Sequence, residues 1–495
     1  MGAAEGEDAA MLDLLNDLLW SKVLIVVLIG LGLVFTISSR FVQLRYFGRM
    51  FRILSANQAF SRDKHGHLSS FQALMLSVAG RVGGGNIAGV AVAITLGGPG
   101  AVFWMWVVGL IGMATSFFEC TLAQAYKRAE PDGTYRGGPA YYITRGMGAK
   151  WSWLAGLYSA LLLVTFGFGF NALQSYSVAT SLEDAFNIPV LASGIGLAVV
   201  LAVIVVGGVR RIAVVAEVLV PVMAIGYLAI ALAVVALNLE ALPAVFALIV
   251  KSAFGLEPAI GGGIGAAIMM GVKRGLFSNE AGLGSAPNVA AVAYVPHPAS
   301  QGVVQAFSVF IDTLVLCSCT AFIVLLGSVY QPGVTSEVGG VALTQASLAG
   351  HVGEWGRVFV SVALMLFGFT TVIYNYYLGE NSLAFFSERN PLLIALYRVV
   401  AIGLCGWGAT TDLGTAFAFA DVTMGSLALV NLFALAMLFR RGLRLMRDFD
   451  EQIAAGVDEP VFDVTKFADL NIDPQAWKLE EEDAQRVAPS QLRTA

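Results

Sequence analysis

The chain has 495 residues, of which 57% are hydrophobic and only 13% are charged. Soluble domains contain about 25% charged residues, so this composition excludes a large soluble fold and indicates a polytopic membrane protein. The formal net charge is -5, and the sequence has no basic domain or aromatic–basic platform, so we do not expect nucleic-acid binding.

Apolar segments long enough to cross a bilayer, which takes about 20 residues, recur along the chain and predict an all-α fold of about eleven transmembrane helices. An acidic segment (1–20) precedes the first helix, and a polar stretch (40–73) separates that helix from the others. The predicted spans are 21–39, 74–97, 101–126, 152–180, 189–207, 212–237, 245–272, 302–330, 357–386, 392–409 and 414–439.

Lysine and arginine fall in every second connection between these spans. The alternate connections, which contain neither residue, are 97–101, 181–188, 238–244, 331–356 and 410–413. The positive-inside rule therefore predicts an external N-terminus and a cytoplasmic C-terminus, with the plasma membrane (the inner membrane of a bacterium) as the location. Residues 46–60 alternate arginines with apolar residues and are expected to lie in the cytoplasmic interface. The acidic tail (440–495) is expected to be cytoplasmic and at best partly ordered.

Two glycine triplets interrupt predicted helices. The first is in "GRVGGGNIAG" (80–89) and the second in "AIGGGIGAA" (259–267). Each glycine costs roughly 1 kcal/mol in a helix relative to alanine. With the first span set aside, the triplets begin two halves of five spans each (74–237 and 238–439), which enter the membrane from opposite sides. Broken helices at matching positions of an inverted repeat indicate a transporter's binding site, although single glycines also serve close helix packing.

Three long motifs carry a family resemblance: "VGGGNIAGVAVAITLGGPGAVFWMWVVGLIGMATSFFECTLAQAYK" (82–127), "YRGGPAYYI" (135–143) and "RGLFSNEAGLGSAPN" (274–288). They closely resemble the alanine or glycine:cation symporter family. The resemblance implies a sodium-coupled amino-acid importer that works by alternating access. It also implies a leucine-transporter-like core of ten helices in a 5+5 inverted repeat, with 21–39 as the extra N-terminal helix.

The resemblance places the substrate between the two broken helices, where this sequence departs from the family. Gly84 replaces a usual threonine, Gly263 a usual phenylalanine, and Asn375 a frequent tryptophan. The freed volume predicts a pocket for an amino acid larger or more polar than alanine, unless neighbouring aromatic side chains refill it. The predicted substrate contacts are Gly84, Gly85, Asn86, Phe168, Gln174, Gly262, Gly263 and Asn375.

The resemblance also implies a site for the coupling Na⁺. Its ligands would be the carbonyl oxygens of Ala79, Val82 and Phe367 and the hydroxyls of Thr370 and Thr371. A neutral cage of oxygens suits a hard cation. The alternative is that the two threonines only hydrogen-bond to their own helix, which is the commoner role of a threonine in a membrane helix.

Several charged residues lie in or near the spans and are candidates for function or for structural polar contacts. They are Arg81, Glu119, Glu217, Asp312, Glu380 and Asp421. Proton coupling through a buried acid is therefore an alternative to sodium coupling, and an amino-acid sensor that signals through the tail is another. No ATP-binding or metalloprotease motif is present, so we predict neither a primary pump nor an enzyme. We expect a monomer whose partners are the bilayer and an amino acid.

Overall fold

The computed structural model describes residues 14–61, 68–131, 133–205, 208–256, 263–332, 339–387, 390–410 and 413–478. Nearly all of this is helix. The helices are α1 (Leu14–Ser38), α2 (Val42–Arg45), α3 (Phe47–Ser61), α4 (Ser70–Arg81), α5 (Gly85–Gly97), α6 (Gly100–Ala125), α7 (Pro139–Tyr141), α8 (Ala149–Phe186), α9 (Val190–Val205), α10 (Gly208–Leu237), α11 (Leu242–Ala253), α12 (Gly263–Asn279), α13 (Ser285–Ala290), α14 (Pro298–Leu325), α15 (Gly340–Val352), α16 (Trp355–Phe386), α17 (Pro391–Gly408) and α18 (Leu413–Ala454).

The remaining regular structure is small. Strands β1 (Arg128–Ala129) and β2 (Tyr135–Arg136) form one antiparallel pair, α7 continues as a π-helical turn (Tyr142–Met147), and two 3₁₀ turns follow α18 (Val464–Phe467 and Pro474–Trp477). The polytopic all-α prediction is therefore confirmed.

Eight helices in the described residues are long and apolar enough to cross a membrane. A ninth span is formed by α4 and α5, which meet at a 50° bend. Two further apolar helices, α9 and α11, are shorter than a full crossing. Most of α6, α14 and α16 is buried, whereas α1, α10 and α17 leave most of their surface exposed. Residues 82–85 at the bend between α4 and α5 are buried as well, so the bend lies in the interior of the fold.

The first break lies where the sequence predicts it. Helix α4 begins with Ser69, whose side chain accepts a hydrogen bond from the Gln72 amide, and it ends at Arg81. Val82 then adopts an extended backbone, and α5 begins at Gly85. The carbonyl groups of the last turn of α4 are consequently left without partners within the helix.

The predicted second break falls between two helices and lies partly outside the described residues. Helix α11 ends at Ala253 and α12 begins at Gly263, so the span expected over 245–272 is two separate helices; Gly261 and Gly262 lie outside the described residues. The break that faces the first one separates α12 from α13. Glu280, Gly282 and Gly284 all have positive φ there, and that conformation ends a right-handed helix.

This assignment bears on the limits of the second half of the fold. Five spans run from α4 to α10, and five more run from α12 to α18 when α12 and α13 are counted as one broken span. The short helices α11 and α15 lie outside that count. Counted in this way, the second five spans begin at α12, near residue 263; the repeat limits predicted from the sequence (74–237 and 238–439) stay a prediction.

More of the tail is packed than the sequence predicts. Helix α18 continues to Ala454, well beyond the predicted end of its span, and the following segment buries Phe462, Leu470 and Trp477. The Phe462 amide donates to the Pro296 carbonyl, and the His297 ring lies 3.2 Å from Asp448. Apolar side chains spaced along an acidic segment thus hold the tail against the start of α14.

Candidate functional site

The first break presents a group of oxygen atoms to α16. The Thr371 hydroxyl oxygen lies 2.9 Å from the Ala79 carbonyl oxygen, 3.3 Å from that of Val82 and 2.9 Å from that of Phe367. All four residues are buried. A hydroxyl has one proton and donates to one acceptor at a time. Three carbonyl oxygens therefore surround one hydroxyl oxygen, although the single hydroxyl proton can satisfy only one of them at a time.

The five residues predicted to bind sodium thus lie together. Thr371 connects α16 to the end of α4, which a threonine that bonded only to its own helix would not do. Thr370 donates to the Phe367 carbonyl at 2.9 Å, and no other hydrogen bond is seen for its hydroxyl in the described residues. Thr370 therefore fits both the ligand interpretation and the helix-bonding alternative, whereas the position of Thr371 favours the ligand interpretation.

Glycine is required sterically at the first break. A Cβ atom on Gly83 would lie 2.6 Å from the Thr371 hydroxyl oxygen, and one on Gly85 would lie 3.0 Å from the Phe277 ring. The Gly84 amide donates to the Gln174 side-chain oxygen at 2.8 Å. A backbone amide at a helix break is a natural partner for a carboxylate, so Gln174 holds the donor that a substrate carboxylate would use.

The space left by the glycine at position 84 is small. A Cβ atom there would lie 3.0 Å from the Gln174 oxygen and 3.3 Å from the Ser177 hydroxyl. Beside Ser177 a cavity of about 120 Å³ opens, lined by residues of α5, α8, α15 and α18. Its lining includes Ala88, Tyr176, Asp184 and Gln345. Ser177 therefore lies between Gly84 and a cavity on the side that the charge pattern predicts to be external.

Asn86 and Asn375 differ sharply in their surroundings. The Asn86 amide nitrogen donates to an Asp312 carboxylate oxygen at 2.6 Å and to the Ser278 hydroxyl at 3.1 Å, and its oxygen accepts from the Gly83 amide. Asn375 is fully buried on α16, one turn after Thr371, and neither atom of its amide has a hydrogen-bond partner. A buried amide without partners is costly, so Asn375 is an unsatisfied polar group in the interior.

The other predicted substrate residues are less central. Phe168 is partly buried in the π-helical stretch of α8 and packs against the core. Gly263 begins α12 with a positive φ, and a Cβ atom there would meet nothing within 4 Å. Gly97, at the opposite end of α5 from the break, lies beside Ala266 near this end of α12. The structure therefore does not bring Gly263 to the other predicted residues, and Gly262 lies outside the described residues.

The sequence prediction missed the residues of the second break. The Glu280 carboxylate accepts hydrogen bonds from the Ser285 hydroxyl at 2.6 Å and from the Tyr374 hydroxyl at 3.1 Å. The Tyr374 ring fills the space beside Gly80, so it contacts both breaks. The signal was the run "SNEAGLG" (278–284), in which polar residues and spaced glycines follow an apolar helix.

Arg81 has no acidic partner among the described residues. Its guanidinium donates to the Ser308 hydroxyl, the Gln305 carbonyl and the Ser116 hydroxyl. The acid on α6, Glu119, instead accepts from the Gly282 amide and the Asn431 side chain. Among the described residues, Arg81 is therefore held by neutral hydroxyl and carbonyl groups and forms no direct ion pair.

Three other acids have structural partners. Asp421 lies 2.7 Å from the Lys273 ammonium and 2.6 Å from the Arg274 guanidinium. Glu217 accepts from Gln72, and Glu380 accepts from the Tyr376 hydroxyl. These contacts favour the structural interpretation for all three.

Comparisons with known proteins show which family the chain belongs to. The model of the sodium:alanine symporter family matches residues 6–464. The chain belongs to the sodium:alanine symporter family. It is 46% identical to the probable sodium/glutamine symporter GlnT of Bacillus subtilis, over 90% of this chain and 91% of the relative. It is 35% identical to the sodium/alanine symporter AgcS of Methanococcus maripaludis, over 87% and 94% of the two chains.

A further relative and one solved structure complete the comparison. The putative sodium/proton-dependent alanine carrier protein YrbD of Bacillus subtilis is 42% identical, over 93% of this chain and 96% of the relative. A mutant manganese transporter of Eremococcus coleocola has a TM-score of 0.50 and 14% identity, over 86% of this chain and 90% of that chain. That structure supports the fold alone.

Membership of this family confirms three predictions from the sequence. The chain is a multi-pass membrane protein, it belongs to a family of symporters, and that family is not one of enzymes. The predicted resemblance was therefore correct across nearly the whole chain.

Proposed function

We propose that the protein imports an amino acid by alternating access, driven by Na⁺ bound at the first break. The oxygen cage around Thr371 carries this proposal, because three carbonyl oxygens around one hydroxyl suit a hard cation better than they suit a single proton. A sodium ion would draw together α4, which ends at the break, and α16. The charge pattern of the loops supports an external N-terminus and a cytoplasmic C-terminus.

Mutation of Thr371 tests the ion site. Thr371→Ala should abolish sodium-dependent uptake in proteoliposomes, and Thr370→Ala should weaken it. Thr423→Ala is the matched control, because the Thr423 side chain is also buried but donates only to carbonyls of its own helix. Unchanged sodium dependence in Thr371→Ala would refute the site.

We further propose that the substrate is larger or more polar than alanine. The unpaired Asn375 amide supports this, because an amide offers one donor and one acceptor group that match a carboxamide side chain. GlnT, a relative that is named as a probable glutamine symporter, is consistent with such a substrate. Competition of uptake by all twenty amino acids tests the proposal, which fails if only alanine and glycine compete.

Proton coupling remains the alternative to sodium coupling. The buried carboxylates and the name of the relative YrbD favour it over the sensor alternative. Uptake measured with a sodium gradient, and separately with a proton gradient alone, decides between the two ions. The sensor alternative predicts that signalling, and not flux, is lost without the tail. A truncation after Ala454 tests the sensor alternative and keeps Asp448, which contacts His297.

A further inference from the structure

A polar cavity lies where strand β2, the end of α16 and the start of α17 meet. Its volume is about 370 Å³, and ligand pockets are commonly about 300–1,000 Å³, so it is large enough for a polar group of a ligand. The loop charges predict that this side of the protein is cytoplasmic. None of its residues belongs to the oxygen cage around Thr371. The lining residues are Arg136, Glu380, Ala384, Pro391, Ile394 and Arg398.

The lining of this cavity carries more positive than negative charge. Arg136 and Arg398 each contribute one positive charge and Glu380 contributes one negative charge, which leaves a net charge of +1. The Arg398 Nε donates to the Tyr376 hydroxyl at 3.1 Å, but its Nη2 lies 3.8 Å from the Glu380 carboxylate, which is too far for a hydrogen bond. Among the described residues, the Arg136 guanidinium forms no hydrogen bond or ion pair. Both arginines therefore have N–H donors available for a ligand.

We propose that this cavity binds the phosphate of an anionic phospholipid. A guanidinium presents its N–H donors in a planar fork that matches a phosphate group. The phosphodiester of such a lipid carries one negative charge and neutralises the net charge of the cavity, whereas a zwitterionic headgroup does not. Pro391 is the first residue of α17, so the positive end of that helix dipole lies beside the same cavity. Basic pockets between helices on the cytoplasmic side are typical sites of anionic headgroups.

The neighbouring face of α17 offers the apolar surface that a lipid requires. Leu392, Leu396 and Val399 are exposed there and recur at helical spacing, and α17 is long and apolar enough to cross a membrane. Ile394 and Arg398 line the cavity from the adjacent face of the same helix. The acyl chains of a lipid would therefore run along α17 from a headgroup held in the cavity. A free phosphate would use the arginines but not the apolar face, so this arrangement favours a lipid.

A bound phosphate would join segments that are far apart in the chain. Arg136 lies on β2, which precedes α7, whereas Glu380 lies on α16 and Arg398 on α17. The Arg398 and Glu380 side chains are 35% and 28% exposed, so the cavity is accessible from outside the protein. The inference goes beyond the proposed function, because it does not depend on which ion or amino acid is transported.

Equilibrium binding of phosphatidylglycerol, labelled with a fluorophore on one acyl chain, to the purified full-length protein in detergent tests the proposal. Unlabelled phosphatidylcholine should compete at least about tenfold less well than unlabelled phosphatidylglycerol, and Arg136→Gln should weaken phosphatidylglycerol binding by about tenfold or more, since hydrogen bonds between charged groups are lost. Arg440→Gln is the matched control, because Arg440 is an exposed arginine on the same predicted side of the membrane that does not line the cavity. Its binding should equal that of the wild type.

Glu380→Gln separates a phosphate site from a cluster that is only structural. Glutamine keeps an oxygen that accepts from the Tyr376 hydroxyl but removes the negative charge of the cavity, so phosphatidylglycerol should bind more tightly than to the wild type. Weaker or unchanged binding in this variant would refute the proposal.

Other outcomes also overturn the inference. Equal competition by the two lipids, or wild-type affinity in Arg136→Gln, would refute the phosphate site. Inorganic phosphate, added at constant ionic strength, should not displace the labelled lipid, and displacement would overturn the assignment to a lipid. If Arg136→Gln fails to fold, Arg398→Gln replaces it and should weaken phosphatidylglycerol binding to a similar extent.

Discussion

Gly83 offers a direct test of the oxygen cage, because the cage and the backbone of the break touch there. A methyl group on Gly83 would lie 2.6 Å from the Thr371 hydroxyl oxygen, whereas ordinary contacts begin at 3.4 Å. The hydroxyl would have to move by about 0.8 Å, away from carbonyl oxygens that are now 2.9 Å from it. Overpacking of this kind costs about 1–3 kcal/mol in a buried site.

We therefore expect Gly83→Ala to raise the sodium concentration for half-maximal uptake by roughly 5- to 150-fold, since each 1.4 kcal/mol corresponds to a factor of ten. The assay is a sodium titration of amino-acid uptake in proteoliposomes, with protein folding checked by size-exclusion chromatography. A correctly folded Gly83→Ala variant with wild-type sodium dependence would refute the reasoning.

Two neighbouring glycines serve as controls. Gly89→Ala adds the same methyl group to the same broken span, but its nearest neighbour would be a Phe277 ring atom at 3.8 Å, so uptake should not change. Gly84→Ala would press on Gln174 and Ser177 but not on Thr371. It should raise the amino-acid concentration for half-maximal uptake and leave the sodium dependence nearly unaltered, which separates the two sites.

Two further predictions concern Asn375 and His297. Asn375→Leu removes two unpaired buried polar atoms, each of which costs about 1–3 kcal/mol, so thermal unfolding should shift to higher temperature. Competition of uptake by glutamine should weaken at least tenfold relative to competition by alanine. Unchanged glutamine competition would contradict the proposed role. Burial lowers the pKa of His297 from its ordinary value of 6.5. The stability it contributes is therefore complete above pH 6.5 and is lost as the pH falls through the lowered pKa. His297→Asn retains an N-cap for α14 and should flatten this part of the pH dependence of thermal unfolding; an unaltered slope would exclude His297 as its source.

Some of the site could be predicted because it depends on local chemistry. The Gly83–Gly85 triplet disfavours helix strongly enough to locate the first break, and the structure ends α4 at Arg81. The sodium ligands required the family resemblance, because no local pattern reveals that Thr371 on α16 contacts Ala79, nearly three hundred positions earlier in the chain. Long-range contacts of this kind are set by tertiary packing and leave little trace in composition.

The break between α12 and α13 was not predicted, because the first glycine triplet was matched only to the second one. Gly263 has the composition of a break, but it stands at the beginning of α12 with open space around it. The bend between α12 and α13 uses Gly282 and Gly284, which are two positions apart. Glu280, two positions before them, also has a positive φ, which non-glycine residues seldom adopt. Its hydrogen bonds from Ser285 and Tyr374 support that conformation, and those partners cannot be read from the local sequence.

The proposed sodium site lies beside the backbone that we assign to the substrate. The carbonyl oxygen of Val82 faces the Thr371 hydroxyl, and the Gly84 amide donates to Gln174 at 2.8 Å. The Gly84 amide, which we assign to the substrate carboxylate, lies two residues after Val82. A cation bound next to this amide would lower the electrostatic cost of bringing a carboxylate into a buried site. Substrate and sodium would then each increase the affinity for the other by the same factor, which is the coupling that a symporter requires.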